Sequence, residues 1–149
     1  MKIHLSLKVA LVTLLTVCGA GAFQLNDLKG SWSGNYTATQ YGDVILKYGF
    51  DLTINRLPDG GFVIIEKFNS GSVRHVFKNN GTYSIAEQGG ASESGTWKMV
   101  KGKVLVVGRY KNPAGDYGFS GMIDLPDKTH LKYTKTYSFG GVKYGAVRN

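Results

Sequence analysis

Arg109 and Lys135 are the residues whose placement most invites chemistry. Arg109 continues the alternation of Leu105 and Val107, and Lys135 lies between Tyr133 and Tyr137 on a second alternation. A cation drawn onto an apolar face is costly unless paired or used. A used one would anchor a ligand carboxylate or phosphate; the competing reading is that local bulges turn both side chains outward. Aromatic residues keep the same spacing. Tyr36, Tyr48, Phe50, Tyr110, Tyr117, Phe119 and Tyr133 fall on strand faces predicted to point inward, where they form either plain core or the wall of a binding cavity.

Catalytic chemistry finds fewer candidates. His75 and His130 are the only histidines beyond residue 22 and do not stand in a metal-ligand spacing, and no cysteine follows Cys18. There is no Gly-x-Ser-x-Gly elbow, phosphate loop or calcium loop. Asp51, Glu66, Asp116 and Asp124 could pair across a fold, but nothing in the sequence selects two of them. The expectation is a non-catalytic protein without metal or cofactor.

The elements that must position these residues repeat with period two. Val44, Leu46, Tyr48, Phe50, Leu52 and Ile54 share one strand face, while Lys47, Asp51, Thr53 and Asn55 share the other, which predicts one buried and one wet face. Comparable runs recur, among them 32–41, 62–68, 73–77, 104–110, 117–123 and 131–137, separated by turn chemistry such as Pro58-Asp59-Gly60-Gly61 and Asn79-Asn80-Gly81. With 21 glycines and no long amphipathic pattern, the sequence predicts an all-β, antiparallel up-and-down barrel of roughly eight strands, since closure removes exposed sheet edges. One helical turn or two is expected around Leu25 to Leu28.

At the N-terminus, Lys2, His4 and Lys8 precede an apolar run from Val9 to Val17, and small residues follow to Ala22. This layout predicts a secretory signal over residues 1–22 and a single barrel domain over 23–149. The apolar run falls well short of the roughly 20 residues a membrane-spanning helix needs. Cys18 lies in a stretch similar to a lipobox, with Val17 where that motif has a small residue; a product without lipid, periplasmic or secreted, is the favoured reading.

Removing Lys2 and Lys8 reduces the formal net charge of +8 to +6. From Phe23 to Trp97, six basic residues face seven acidic ones; from Lys98 onward, ten face three. A positive field of this kind favours acidic partners, yet no dense basic run marks a nucleic-acid or membrane tail. Several local sequences also recur in order: Gly30-Ser31-Trp32 with Gly95-Thr96-Trp97, Tyr48-Gly49-Phe50 with Tyr117-Gly118-Phe119, and Pro58-Asp59 with Pro126-Asp127. Internal duplication is one explanation and coincidence in a Gly- and Tyr-rich chain the other.

Leu28-Lys29-Gly30-Ser31-Trp32 at the head of the first strand resembles the Gly-x-Trp signature of the lipocalins and the wider calycin barrels. The resemblance implies a Trp that closes one barrel end under an Arg following the last strand, matched here by Trp32 and Arg148, with Trp97 as the recurring partner. It also implies an interior that holds one small apolar or amphipathic ligand. Ser70-Gly71-Ser72-Val73-Arg74-His75 is similar to the Ser-Gly-x-x-Tyr loop of periplasmic lysozyme inhibitors, with Arg74 or His75 in place of the aromatic. The sequence therefore predicts an exported barrel that carries a small, apolar or amphipathic molecule, anionic if the two cations point inward. Binding of a protein partner through the loops is the alternative, and nucleic acid is not expected.

Overall fold

In the computed structural model, which describes residues 23–149, the period-two pattern closes into ten antiparallel strands. They are β1 (Gly30–Gln40), β2 (Asp43–Arg56), β3 (Phe62–Phe68), β4 (Gly71–Phe77), β5 (Thr82–Gln88), β6 (Ala91–Val100), β7 (Lys103–Asn112), β8 (Gly115–Asp127), β9 (His130–Tyr137) and β10 (Gly140–Arg148). Each strand pairs with the next, and β10 returns to β1 with Arg148 opposite Trp32 and Gly140 opposite Gln40. The predicted leader and Cys18 lie outside the described residues. Among the described residues no helix is long and apolar enough to cross a membrane.

The barrel has ten strands rather than eight. The last was hidden because β10 carries three glycines, which dilute the apolar alternation of Val142, Tyr144 and Ala146. Some turns use positive backbone angles that the sequence did not advertise: Tyr41 (φ 50°) with Gly42 (φ 95°), and Lys101 (φ 49°) with Gly102 (φ 74°), join their strands through two-residue connections. At the facing pair Gly95 and Gly108 the strands approach so closely that a Cβ at Gly95 would lie 2.1 Å from the Val107 carbonyl oxygen, and one at Gly108 2.9 Å from the Phe119 ring.

One end of the barrel is plugged. The short helix α1 (Leu25–Leu28) lies across it, with Leu28 and Trp32 both fully buried. Trp32 Nε1 donates to the Leu28 carbonyl at 3.0 Å, and the Arg148 guanidinium stacks 4.5 Å from the Trp32 ring while donating to the Asp27 carbonyl. Above this plug, Phe62 and Phe77 stack at 4.2 Å, and Trp97 meets both edge-on while donating to the Lys78 carbonyl at 2.7 Å. Leu52, Ile54, Ile64, Val104, Ile123 and Leu131 fill the rest.

The duplication reading fails on this topology. Trp32 and Trp97 lie near the same end, but on β1, which runs away from it, and β6, which runs toward it. The tryptophans relate β1 to β6, whereas the Tyr-Gly-Phe sequences relate β2 to β8. No single rotation superposes both.

The outer end of β2 also departs from expectation. The register against β1 shifts between Ala38 and Thr39, and this bulge breaks the strict alternation. Val44 and Leu46, predicted to be buried, are 62% and 50% exposed, beside Ile45 at 59% and Tyr41 at 82%. The apolar face of β2 becomes core only from Phe50 inward.

Candidate ligand-binding site

The unplugged end opens into a cavity of about 440 Å³. Gln40, Ile45, Phe68 and Phe139 stand at its mouth, where β1, β2, β3 and the β9–β10 turn end. Its walls are Tyr36, Tyr48, Tyr110, Tyr137 and Tyr144, and its inner end carries Glu66, His75, Glu93 and Lys135. All four are buried, at 3%, 2%, 7% and 3% exposure.

These four arrive inside by the same alternation that builds the core. Glu66 follows Phe62 and Ile64 on β3, His75 precedes Phe77 on β4, Glu93 precedes Gly95 and Trp97 on β6, and Lys135 follows Leu131 and Tyr133 on β9. Buried charge survives only when it is paired and hydrogen-bonded, and here one network does both. Glu93 accepts from Lys135 at 2.6 Å, Tyr83 at 2.6 Å and Tyr137 at 2.8 Å. Lys135 also donates to the Tyr83 hydroxyl at 2.9 Å and lies over the rings of Tyr83, Phe119 and Tyr133. Glu66 accepts from Tyr48 at 3.0 Å and Tyr144 at 3.1 Å, with His75 Nε2 at 3.5 Å. The other His75 nitrogen lies 3.4 Å from the Tyr83 hydroxyl, which joins the two clusters.

Burial, reinforced by the Lys135 charge, pushes the His75 pKa below its ordinary value of 6.5, against the pull of both glutamates. The ring is therefore neutral at neutral pH, and the carboxylate facing Nε2 favours the proton there. Burial alone would raise both carboxyls. For Glu66, His75 and the two phenols reverse that sign; for Glu93, Lys135 with Tyr83 and Tyr137 does so, and both stay below their ordinary 4.5. Burial raises the Tyr36 phenol to about 12, with help from the two glutamates, so its hydroxyl stays protonated.

A pH dependence of stability follows. The unfolded chain takes up a proton on His75 as pH falls below 6.5 while the fold resists it, and below 4.5 the same holds for Glu66 and Glu93. In each case the unfolded state binds more protons, so stability falls with decreasing pH. Urea midpoints are expected to decline in two stages below pH 6.5, with the upper stage absent in His75→Gln.

The structure separates the residues that the sequence grouped as a site. Tyr36, Tyr48 and Lys135 line the cavity. Phe50, Phe119 and Tyr133 lie deeper, buried in the core, and Tyr117 stacks on Tyr110 at the rim and meets Phe139 edge-on. Arg109 is a correction: its side chain is exposed and donates from Nε to Asp116 at 2.8 Å. It shares the outward alternation of Val107, which is 57% exposed, because Val104 and Val106 take the inward positions of β7. The residues missed were Glu66, His75, Glu93, Tyr137 and Tyr144. The available signal was a polar side chain continuing an apolar alternation.

No family model matches the sequence, and no curated protein resembles it significantly. Among solved structures, one similar to this chain shares the fold, and a second match is weaker. A protein of unknown function from the DUF3598 family of Nostoc punctiforme is 11% identical, with a TM-score of 0.58 over 87% of this chain and 50% of the other. Rv2717c of M. tuberculosis is 15% identical, with a TM-score of 0.48 over 84% of this chain and 94% of the other. The chain thus spans half the length of the Nostoc protein, and the likeness is one of barrel architecture.

Proposed function

We propose that the protein is an exported, non-catalytic carrier that holds one small amphipathic molecule in the open end of its barrel. The observation that carries this reading is the cavity itself: about 440 Å³, aromatic along its walls, polar at its inner end and open at the mouth. Sites for small molecules combine these features, with apolar enclosure giving affinity and a few placed polar groups giving orientation. The leader pattern over residues 1–22 supports export.

Native mass spectrometry of protein purified from its own host, followed by organic extraction, tests the reading. A discrete amphiphile is expected. Ala38, 7% exposed on the cavity wall, offers a second test: Ala38→Phe places a ring in the empty space and is expected to cut occupancy about tenfold or more with the fold retained. A protein that repeatedly purifies empty would count against carriage.

One observation favours the second reading, protein binding through the loops. The outer part of β2 runs beyond its pairing with β3, which begins at Asp51, and exposes Val44, Ile45 and Leu46 beside Tyr41, a concentration of apolar surface that marks contact sites. On that reading, Val44→Ser with Leu46→Ser, two exposed positions that do not line the cavity, weakens a purified partner's affinity and leaves cavity occupancy unchanged.

A further inference from the structure

The two buried acids are not equivalent. Glu93 has a full cationic partner in Lys135 at 2.6 Å. Glu66 has none among the described residues: its neighbours are two phenol hydroxyls and an imidazole at 3.5 Å, and no Lys or Arg lies within ion-pair distance. With His75 neutral, the inner end of the cavity holds two carboxylates and one ammonium, an excess negative charge that the protein leaves uncompensated. An isolated buried carboxylate is costly, and the usual remedy is a cation in contact with it.

The surroundings of Glu66 fit such a cation. Tyr36 and Tyr48 stack at 4.6 Å, and Tyr144 meets Tyr36 edge-on at 4.9 Å. The faces of such rings attract ammonium groups. Tyr48 and Tyr144 spend their hydroxyls on Glu66. Among the described residues Tyr36 has no side-chain hydrogen-bond partner, so its oxygen is available to a ligand donor. An anion fits poorly, because it would meet both acids while the Lys135 charge is already engaged.

We propose that the cavity selects amphipathic organic cations, seating the ammonium group against Glu66 beside Tyr36 and laying the apolar tail along the aromatic wall toward the mouth. The proposal rests on the carrier reading and assigns its ligand class, replacing the anion that an inward Arg109 and a free Lys135 would have favoured.

Calorimetric titration of the purified protein with octylammonium, 1-octanol and octanoate at neutral pH separates the two levels. These probes share a tail and differ in head group. Octylammonium is expected to bind about tenfold or more tighter than octanol, since a charge-assisted contact is roughly twice as strong as a neutral one, and octanoate more weakly than octanol. Glu66→Gln keeps an acceptor for both phenols and is expected to reduce the ammonium-to-alcohol ratio to about twofold, while Tyr36→Phe reduces it to an intermediate value. Octanol or octanoate binding as tightly as octylammonium to the unaltered protein would overturn cation selection and leave carriage standing. Absence of binding by all three would overturn carriage and the cation inference together. Because the comparison of probes uses the unaltered protein, it decides the matter even where a variant folds poorly.

Discussion

Lys135→Met is expected to lower the unfolding free energy by about 3–5 kcal/mol, the range found when one member of a buried ion pair is removed. The thioether occupies nearly the same volume, so packing loss contributes little. What remains is Glu93, 7% exposed, holding a charge with only the Tyr83 and Tyr137 hydroxyls to offset it. Lys135 also donates to Tyr83, so that phenol loses a partner in the same step. Adding Glu93→Gln to Lys135→Met removes the stranded charge and keeps an acceptor for both tyrosines; most of the lost stability is expected to return. Urea unfolding of both single variants and the double variant gives the coupling directly. A single-variant loss under about 1 kcal/mol would mean that the pair is wet in solution and that the inner end of the cavity is not the closed network described above.

That network shows where reading the sequence reaches its limit. Period two is legible and gives the barrel and the inward direction of Tyr36 and Tyr48; it leaves Lys135 open between inward and outward, and the helical turn at Leu25–Leu28 is expected apart from it. The same alternation points Glu66 inward behind the buried Phe62 and Ile64 and His75 inward beside the buried Phe77, whereas Glu93 shares its face with the only partly buried Gly95 and Trp97. Nothing local selects Glu66 from the other acids or gives His75 a ligand partner, and Glu93 has no motif around it. Arg109 departs for the complementary reason: its alternation with Leu105 and Val107 reads as an inner face, but Val104 and Val106 hold that face, and a one-residue choice of phase reverses every side chain on a strand. Which groups meet is a further matter. Lys135 and Glu93 are 42 residues apart, and Tyr144 and Glu66 are 78 apart; such contacts are fixed by strand order and closure, which local sequence does not encode. Trp32 and Arg148 are an exception, because the Gly-x-Trp resemblance implies their pairing, and the register of β1 against β10 places them opposite each other.

Trp32→Ala is expected to cost about 3–5 kcal/mol, as large-to-small changes at fully buried aromatic positions do. Three losses coincide there. The indole leaves a void beneath Leu28, which is itself fully buried. The Leu28 carbonyl loses the Nε1 donor at 3.0 Å. Arg148 loses the ring it covers at 4.5 Å and keeps only its backbone contact to Asp27. Since α1 is held across the barrel mainly by these contacts, its four residues are too few to persist alone, and the plug is expected to loosen before the barrel opens. The sequence has two tryptophans, so the variant leaves Trp97 as a single fluorescent reporter at the same end. A red shift of its emission at urea concentrations below the main transition would record the loosening. Trp97→Phe provides the contrast: Trp97 is only partly buried, and its main specific bond is to the Lys78 carbonyl, so a loss of about 1–2 kcal/mol is expected. Equal losses for the two variants would show that the stack of Trp32 under Arg148 has no special part in closing the barrel, and that the Gly-x-Trp motif marks a core aromatic like any other.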